Sequence, residues 1–283
     1  MAEGQLIGWD PETSELLGSG GEADVYALSD EHVVRLYRDT SPGTMDAASL
    51  RRVHLEEIAS ASSHLRFAVP VVLDQGTHLG RVFQIERRLR GSSMLDVLSQ
   101  SEGEAREKLL VSYLETAWEV GEIAIERSFL GEIGRTDAIQ TPSWQDYLSE
   151  RARRSLAVSP FEHIDPAAVS LPMGEVETVG VVHLDYFPGN VMSNGELVTA
   201  VLDWGYSTII GDRRMNVVAA AAHLMTPRIT PTVKRTDAAL VMDWLNDHGL
   251  TDYFDCGIQW LAAFWTFAHN DPDALAWCRS VLT

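Results

Sequence analysis

The stretch VVHLDYFPGNVM, Val181 to Met192, decides how the rest of the chain is read. Two β-branched residues lead into His183, Asp185 and Asn190, with Pro188 and Gly189 just before the Asn. A buried strand has no use for two polar side chains directly after Val-Val. A surface loop has no use for Leu184, Tyr186 and Phe187. The mixture suits a loop held against a core so that a few polar groups point at a ligand. Downstream, VLDWGYS (Val201–Ser207) places Asp203 after an apolar strand and Gly205 where a sharp turn is needed. A carboxylate there can hold Mg2+, which takes oxygen ligands and is usually shared with substrate phosphates. It could equally cap the following turn.

Upstream, LGSGGEADVY (Leu17–Tyr26) sets Gly18, Ser19, Gly20 and Gly21 between two strand signals. Glycines there let backbone N–H groups approach phosphate oxygens closely. The segment is not a Walker A loop, because no Gly-Lys-Ser/Thr opens a helix. It is not a dinucleotide fingerprint, because a strand follows rather than a helix. Taken alone, a Gly-rich hairpin turn explains it equally well. Arg35 stands in the apolar strand HVVRLYR and could meet a nucleotide phosphate. Alone it reads more simply as a strand-face arginine reaching solvent. In this order, however, the pieces form the parts list of kinase-type phosphoryl transfer. Asp185 then accepts or orients the attacking hydroxyl proton, and Asn190 and Asp203 hold Mg2+ on the phosphates of ATP.

Composition sets outer bounds. The chain has 283 residues, 45% of them hydrophobic, and carries 22 Lys+Arg against 41 Asp+Glu, a formal net charge of −19. That sign repels nucleic acid and anionic membrane surfaces, and it steers cations toward the molecule. Cys256 and Cys278 form no Cys-x-x-Cys and read as small buried hydrophobes. The start, MAEGQLIGWDPETSELL, lacks a basic segment and an apolar run of signal-peptide length, and no window is apolar enough for a membrane span. A soluble, cytoplasmic chain is expected. Nothing in the sequence speaks to oligomeric state.

The first hundred residues alternate in the manner of an antiparallel sheet, with one helix inserted over about 45–64. Past Gly91 the patterning turns helical: a short helix capped by Ser92 or Ser93, a long one over about 104–128, a loop through FLGEIGRTDAIQTPSW, then SWQDYLSERARRSL and a series of helices to the end. The expected fold is α+β and bilobal. A nucleotide-binding lobe spans 1–91, with a hinge near 85–91, and a helical catalytic lobe spans 92–283.

These motifs resemble the aminoglycoside phosphotransferase family, the small-molecule branch of the protein-kinase-like fold. That family typically carries His-Gly-Asp-Leu-x-x-x-Asn followed by Ile-Asp-Trp or Ile-Asp-Phe, where this chain has HLDYFPGN and LDW. The likeness runs from LLGSGGEADVYAL to FAHNDPDALAWC. The hygromycin B phosphotransferase branch is similar at VPVVLDQG, IERRLRGSSMLDVL, SWQDYL, GELVTAVLDW and DPDALAW. The resemblance implies ATP or GTP as donor, Mg2+, and Arg35 as the phosphate-binding cation. It also implies an ion-pair partner for Arg35 on the first helix, Glu56 in preference to Glu57, and a hinge in which Glu86 to Arg88 meet the adenine through the backbone. His183 is implied to position the loop. Leu184, Tyr186 and Phe187 depart from the family pattern, as does Asn216, where an Asp is common.

The resemblance places the acceptor between the catalytic loop and the C-terminal helices, where Asp212, Asp243, Asp247, Trp260, Trp265, His269 and Asp271 are candidates. An aminoglycoside or aminocyclitol leads. A macrolide, a sugar or amino sugar, a choline-like alcohol, and a nucleotide-binding pseudokinase stay open. A protein substrate is disfavoured, because LDWG runs directly to GDRRMN without an activation segment or Ala-Pro-Glu.

Overall fold

Alternation of side chains builds the first lobe. The computed structural model describes residue 6 and residues 8–135, 137–170 and 173–283; the remaining positions of the expected 1–91 and 92–283 lobes lie outside the described residues. Strands β1 (Leu16–Ser19), β2 (Ala23–Ala27), β3 (His32–Tyr37), β4 (Val72–His78) and β5 (Arg81–Arg87) form an antiparallel sheet in the order β1-β2-β3-β5-β4. In β3, Val34 and Leu36 pack with Phe83 on one face, so the period of two turns Arg35 and Tyr37 to the other.

That second face receives α1 (Thr44–Ala61), whose inward positions are Ala48, Arg51, Leu55 and Ile58. Leu55 and Ile58 belong to the main core of the second lobe, together with Phe67 and Val69. Ala68 bridges Ala200 in parallel, donating to Thr199 O at 2.9 Å and accepting from Val201 N at 3.0 Å. The segment between α1 and β4 is therefore stitched to the second lobe. The strap after β5 crosses at Gly91, at φ +131°, where a Cβ would lie 2.8 Å from Ser193 O.

Beyond the strap, β6 (Ser92–Ser93) pairs with β10 (Val191–Ser193), which pairs with β11 (Val198–Val201). Ser93 caps α2 (Met94–Gln100) through Leu95 N. Helix α3 runs over Gly103–Val120 and stops short of the expected end. Gly121 closes it because the chain there passes against Arg213 and β9 (Val179–His183); a Cβ on Gly121 would sit 2.5 Å from that of Arg213. The expected loop 129–144 contains two short strands, β7 (Leu130–Glu132) and β8 (Gln140–Thr141), too brief to show alternation. They join β9 and β12 (Thr208–Asp212) in a sheet ordered β8-β7-β12-β9.

Helices α4 (Trp144–Ala157), α5 (Pro166–Ser170), α6 (Arg214–Met225), α7 (Asp237–Asp247), α8 (Thr251–Trp265) and α9 (Pro272–Leu282) complete the lobe. The core centres on α3, α4, α6 and α8, and α6 is buried almost all round. Arg106 on α3 locks the chain ahead of α7. It donates to both oxygens of Asp237 and to the carbonyls of Leu98 and Thr232. Both cysteines are free, Cys278 buried and Cys256 partly so. Among the described residues no helix is long and apolar enough to cross a membrane.

Candidate active site

The loop after β9 is held from below. His183 is fully buried; its N–H donates to Asn216 Oδ1 at 2.8 Å and its Nε2 meets Leu202 O at 2.8 Å. Asn216, at the start of α6, donates back to Val181 O at 2.9 Å. The amide at 216 thus ties the end of β9 to α6 through one acceptor and one donor, which a carboxylate could not do. Leu184 and Tyr186 are fully buried, and Tyr113 and Tyr186 each donate a hydroxyl to the other's carbonyl. With alternate residues anchored inward, Asp185 and Phe187 face the cleft.

Asp185 and Asn190 touch directly: Asn190 Nδ2 lies 3.2 Å from Asp185 Oδ2 and 3.1 Å from its carbonyl. Burial and the nearby Asp203 push the Asp185 carboxyl up to about 7, against the Asn190 hydrogen bond. Asp203 follows β11 in the left-handed region, at φ +57°. Asp tolerates that conformation better than most residues. Arg35 Nη2 reaches across the cleft to Asp203 Oδ1 at 3.1 Å and to Glu22 at 3.9 Å. Burial opposes ionisation of Asp203, but Arg35 and Arg51 outweigh it and hold its pKa below the ordinary value. The Arg35 Nε is buried and has no partner among the described residues.

The first helix meets the sheet differently from expectation. Glu56 pairs with Arg52 on the outer face, and Glu57 pairs with Arg127. Helical phase puts residues 48, 51, 55 and 58 inward, so the inward charge is Arg51, not Glu56. Arg51 Nη1 donates to Glu86 at 2.7 Å and to Gln84 at 2.6 Å. Glu86 sits inside β5, between β3 and β4, with its carboxylate buried against Arg51. A residue paired on both sides in a sheet has no free edge for a base, so Glu86 does not serve as the hinge. Arg88 N–H donates to Glu31 O at 2.8 Å, and its guanidinium leans on Ser29 O. Leu89 is the strap residue whose peptide groups carry no hydrogen bond among the described residues.

Gly18 and Ser19 end β1, paired with Val25 and Asp24, and Gly20 and Gly21 form the turn to β2. A Cβ at Gly18 or Gly21 would meet nothing within 4 Å, so space, not strain, is what these glycines leave. The Ser19 hydroxyl is engaged by Asp24 and Arg38.

Two hard oxygen donors stand on the loops after β9 and β11. Asn190 uses its Nδ2 on Asp185, which leaves its amide oxygen without a partner among the described residues, and Asp203 supplies a carboxylate. This set fits Mg2+, which fills its remaining positions with phosphate oxygens and water. Among the described residues no group of three or more His, Cys, Asp or Glu is placed for a metal.

Asp185 opens on a cavity of about 420 Å³. Phe187, Ile229, Leu261, Trp265 and Trp277 give it apolar walls, and His223, Arg228, Asp271 and Asp273 its polar groups. Of the acceptor candidates, Trp265 and Asp271 reach this cavity. Trp260 is fully buried and donates to Leu148 O, and Asp212 is buried, accepting from Arg214. Asp243, Asp247 and His269 do not line it. His223, Arg228, Asp273 and Trp277 are walls that the sequence reading missed, although Asp273 and Trp277 share the motif DPDALAW with Asp271. Phe187, a departure from the family pattern, also lines it. A second cavity of about 430 Å³ lies between α1 and the Trp204–Tyr206 turn.

The sequence profile of the phosphotransferase enzyme family matches residues 13–249. Comparison with curated proteins finds no match. Among solved structures, the chain is similar to the GDP and kanamycin complex of APH(2")-IIia, with 12% identity, a TM-score of 0.61, and coverage of 98% of this chain and 93% of that one. It is similar to the gentamicin complex of APH(2")-IIa, with 14% identity, a TM-score of 0.62, and coverage of 95% and 90%. It is also similar to a putative fructosamine-3-kinase from Haemophilus somnus 129PT, with 12% identity, a TM-score of 0.60, and coverage of 95% and 91%. The antiparallel-sheet lobe on a helical lobe is the protein-kinase-like architecture that the motifs implied.

Proposed function

The chain belongs to the phosphotransferase enzyme family, and from that premise we propose that it moves the γ-phosphoryl group of ATP or GTP to a hydroxyl of an amine-bearing small molecule. The observation that carries the reading is that three separate segments bring two contact pairs to the cleft, Arg35 with Asp203 and Asp185 with Asn190, with Asp203 close enough to Asp185 to raise its pKa. Arg35 meets the phosphates with its guanidinium, which gives up its bond to Asp203 as they arrive. Asn190 and Asp203 hold Mg2+, which supplies neutralising charge on the phosphate oxygens when bound. The base lies against the strap, and Leu89 offers it a backbone donor and acceptor.

In the transfer, the acceptor oxygen forms a bond to the γ-phosphorus, and the bond from that phosphorus to the β–γ bridging oxygen breaks. The nucleoside diphosphate leaves with the bridging oxygen. The hydroxyl proton passes to the Asp185 carboxylate. Positioning and charge neutralisation supply most of the acceleration. His183 is boxed in by Asn216 and Leu202 and takes no part beyond holding the loop.

An aminoglycoside or aminocyclitol is the first acceptor to test. The likeness to the hygromycin B branch puts hygromycin B in the panel, alongside macrolides, amino sugars and choline. The test is ADP release from Mg-ATP with each acceptor. The Asp185→Asn variant is expected to lose about 10³-fold in kcat while still binding Mg-ATP. Failure of the wild-type protein to bind Mg-ATP or Mg-GTP rejects the proposal.

A further inference from the structure

The cavity beside Asp185 has a lopsided chemistry. Phe187, Leu261, Trp265 and Trp277 face it with ring and aliphatic surface, and Ile229 extends that surface along the loop between α6 and α7. His223 contributes an uncharged imidazole: it is bonded through Nδ1 to Thr230 Oγ1 at 3.2 Å and stacks at 5.1 Å from Phe187. Burial pushes its pKa down to about 4. Apart from Asp185, which receives the acceptor hydroxyl, the charged groups lie on one rim. There Arg228 Nη1 lies 3.3 Å from Asp273 Oδ1, so one of the two rim acids already has a cation. Asp271 is the other. Its Oδ1 accepts the N–H groups of Asp273 and Ala274, each at 3.0 Å, as the cap of α9. Its second oxygen has no partner among the described residues.

Resting on the phosphotransferase reading above, we infer that this pocket selects an acceptor alcohol built on a largely apolar scaffold with a single amine, that the amine docks on Asp271, and that polycationic acceptors are discriminated against. The arithmetic of charge is the reason. A polycation entering a cavity must exchange water for a carboxylate at each ammonium, or leave a charge facing tryptophan and leucine without compensation. Besides Asp185, which the acceptor hydroxyl occupies, this rim has one unpaired acid to answer one ammonium, and the Arg228 guanidinium beside it repels a second. Apolar area on the scaffold, in contrast, is matched by the Trp265, Trp277 and Phe187 surfaces.

The experiment compares kcat/KM for a macrolide bearing one dimethylamino sugar, the same macrolide with that amine removed, and kanamycin, using wild-type protein and Asp271→Asn. Asn caps a helix about as well as Asp, so the variant keeps α9 while losing the charge; an unchanged thermal midpoint checks this. The one-amine acceptor is expected to exceed kanamycin by tenfold or more. Asp271→Asn is expected to raise its KM by about tenfold with little change in kcat, and to leave the KM of the amine-free analogue unmoved. Preference for kanamycin, or an Asp271→Asn variant with an unchanged KM for the amine, overturns the inference and leaves the phosphotransferase reading standing. Mg-ATP binding with no acceptor turned over rejects the acceptor reading, and this inference falls with it.

Discussion

Arg106 and Arg35 each hold a carboxylate inside the molecule, and they do so in different ways. Arg106 grips both oxygens of Asp237 and spends its remaining N–H groups on the carbonyls of Leu98 and Thr232. All three of its nitrogens are engaged, and both partners are about 95% buried. Arg35 touches Asp203 with one nitrogen, and its buried Nε has no partner among the described residues. Asp203, its partner, is 41% exposed toward the cleft. Complete pairing belongs to a part that must hold one shape. Incomplete pairing belongs to a part that must accept something else. The same contrast separates the Asn216 clamp, satisfied in both directions, from Asp185 above it, whose carboxyl is raised by burial and a neighbouring acid.

Three measurements break or sharpen that contrast. The largest effect on stability belongs to the closed pair. Asp237→Ala strands a buried guanidinium and is expected to cost about 3–5 kcal/mol in chemical denaturation. Because the 226–236 segment lines the acceptor cavity, the variant should also raise acceptor KM and leave nucleotide KM near wild type. If its cost is below about 1 kcal/mol, the two arginines do not differ as described. Arg35→Ala should do the reverse: kcat/KM for the nucleotide falls by about 10²-fold, with a thermal midpoint near wild type.

The smallest effect is a gain. The Asp185 carboxyl, at an ordinary 3.8 when unfolded, stands at about 7 in the fold. Between those values the unfolded chain is ionised and the folded one holds its proton, so rising pH favours unfolding across that window. Asp185→Asn removes this penalty. It should match wild-type stability near pH 4 and exceed it by on the order of 1–3 kcal/mol at pH 8, without Mg2+ or nucleotide. Equal stability at both pH values would place Asp185 among the satisfied groups.

The open half of the cleft was legible because its parts are short and local. Two short motifs, HLDYFPGN and LDWG, carry Asp185, Asn190 and Asp203, and the fold sets them on neighbouring loops of one cleft. Sequence spacing misled where the answer depended on helical phase. Glu56 and Glu57 lie close to the right place along α1 but on its outer faces, whereas Ala48, Arg51, Leu55 and Ile58 recur at the spacing of a single inward stripe. Following that stripe would have pointed to Arg51 and to an acid opposite it, Glu86. The resemblance puts Glu86 in the hinge, whereas β5 runs to Arg87 and keeps Glu86 inside the sheet. The acceptor wall was the least legible. Phe187, His223 and the Trp265–Asp273 stretch stand far apart along the chain, and only packing of α6, α8 and α9 brings them around one cavity. Trp260 and Trp265 look alike in sequence, yet one is core and the other wall.

The bond between Arg35 and Asp203 joins one lobe to the other. On the proposed function, a phosphate that reaches Arg35 takes a seat beside a counter-ion that is part of the protein itself. Loading is then ion exchange, as on a resin, rather than capture by a bare charge. A resin ranks its guests by charge density before it ranks them by shape, so triphosphate displaces where monophosphate only competes. Since the displaced counter-ion is anchored to the opposite lobe, the exchange removes one tie between the two halves, while the bridge between Ala68 and Ala200 keeps them joined.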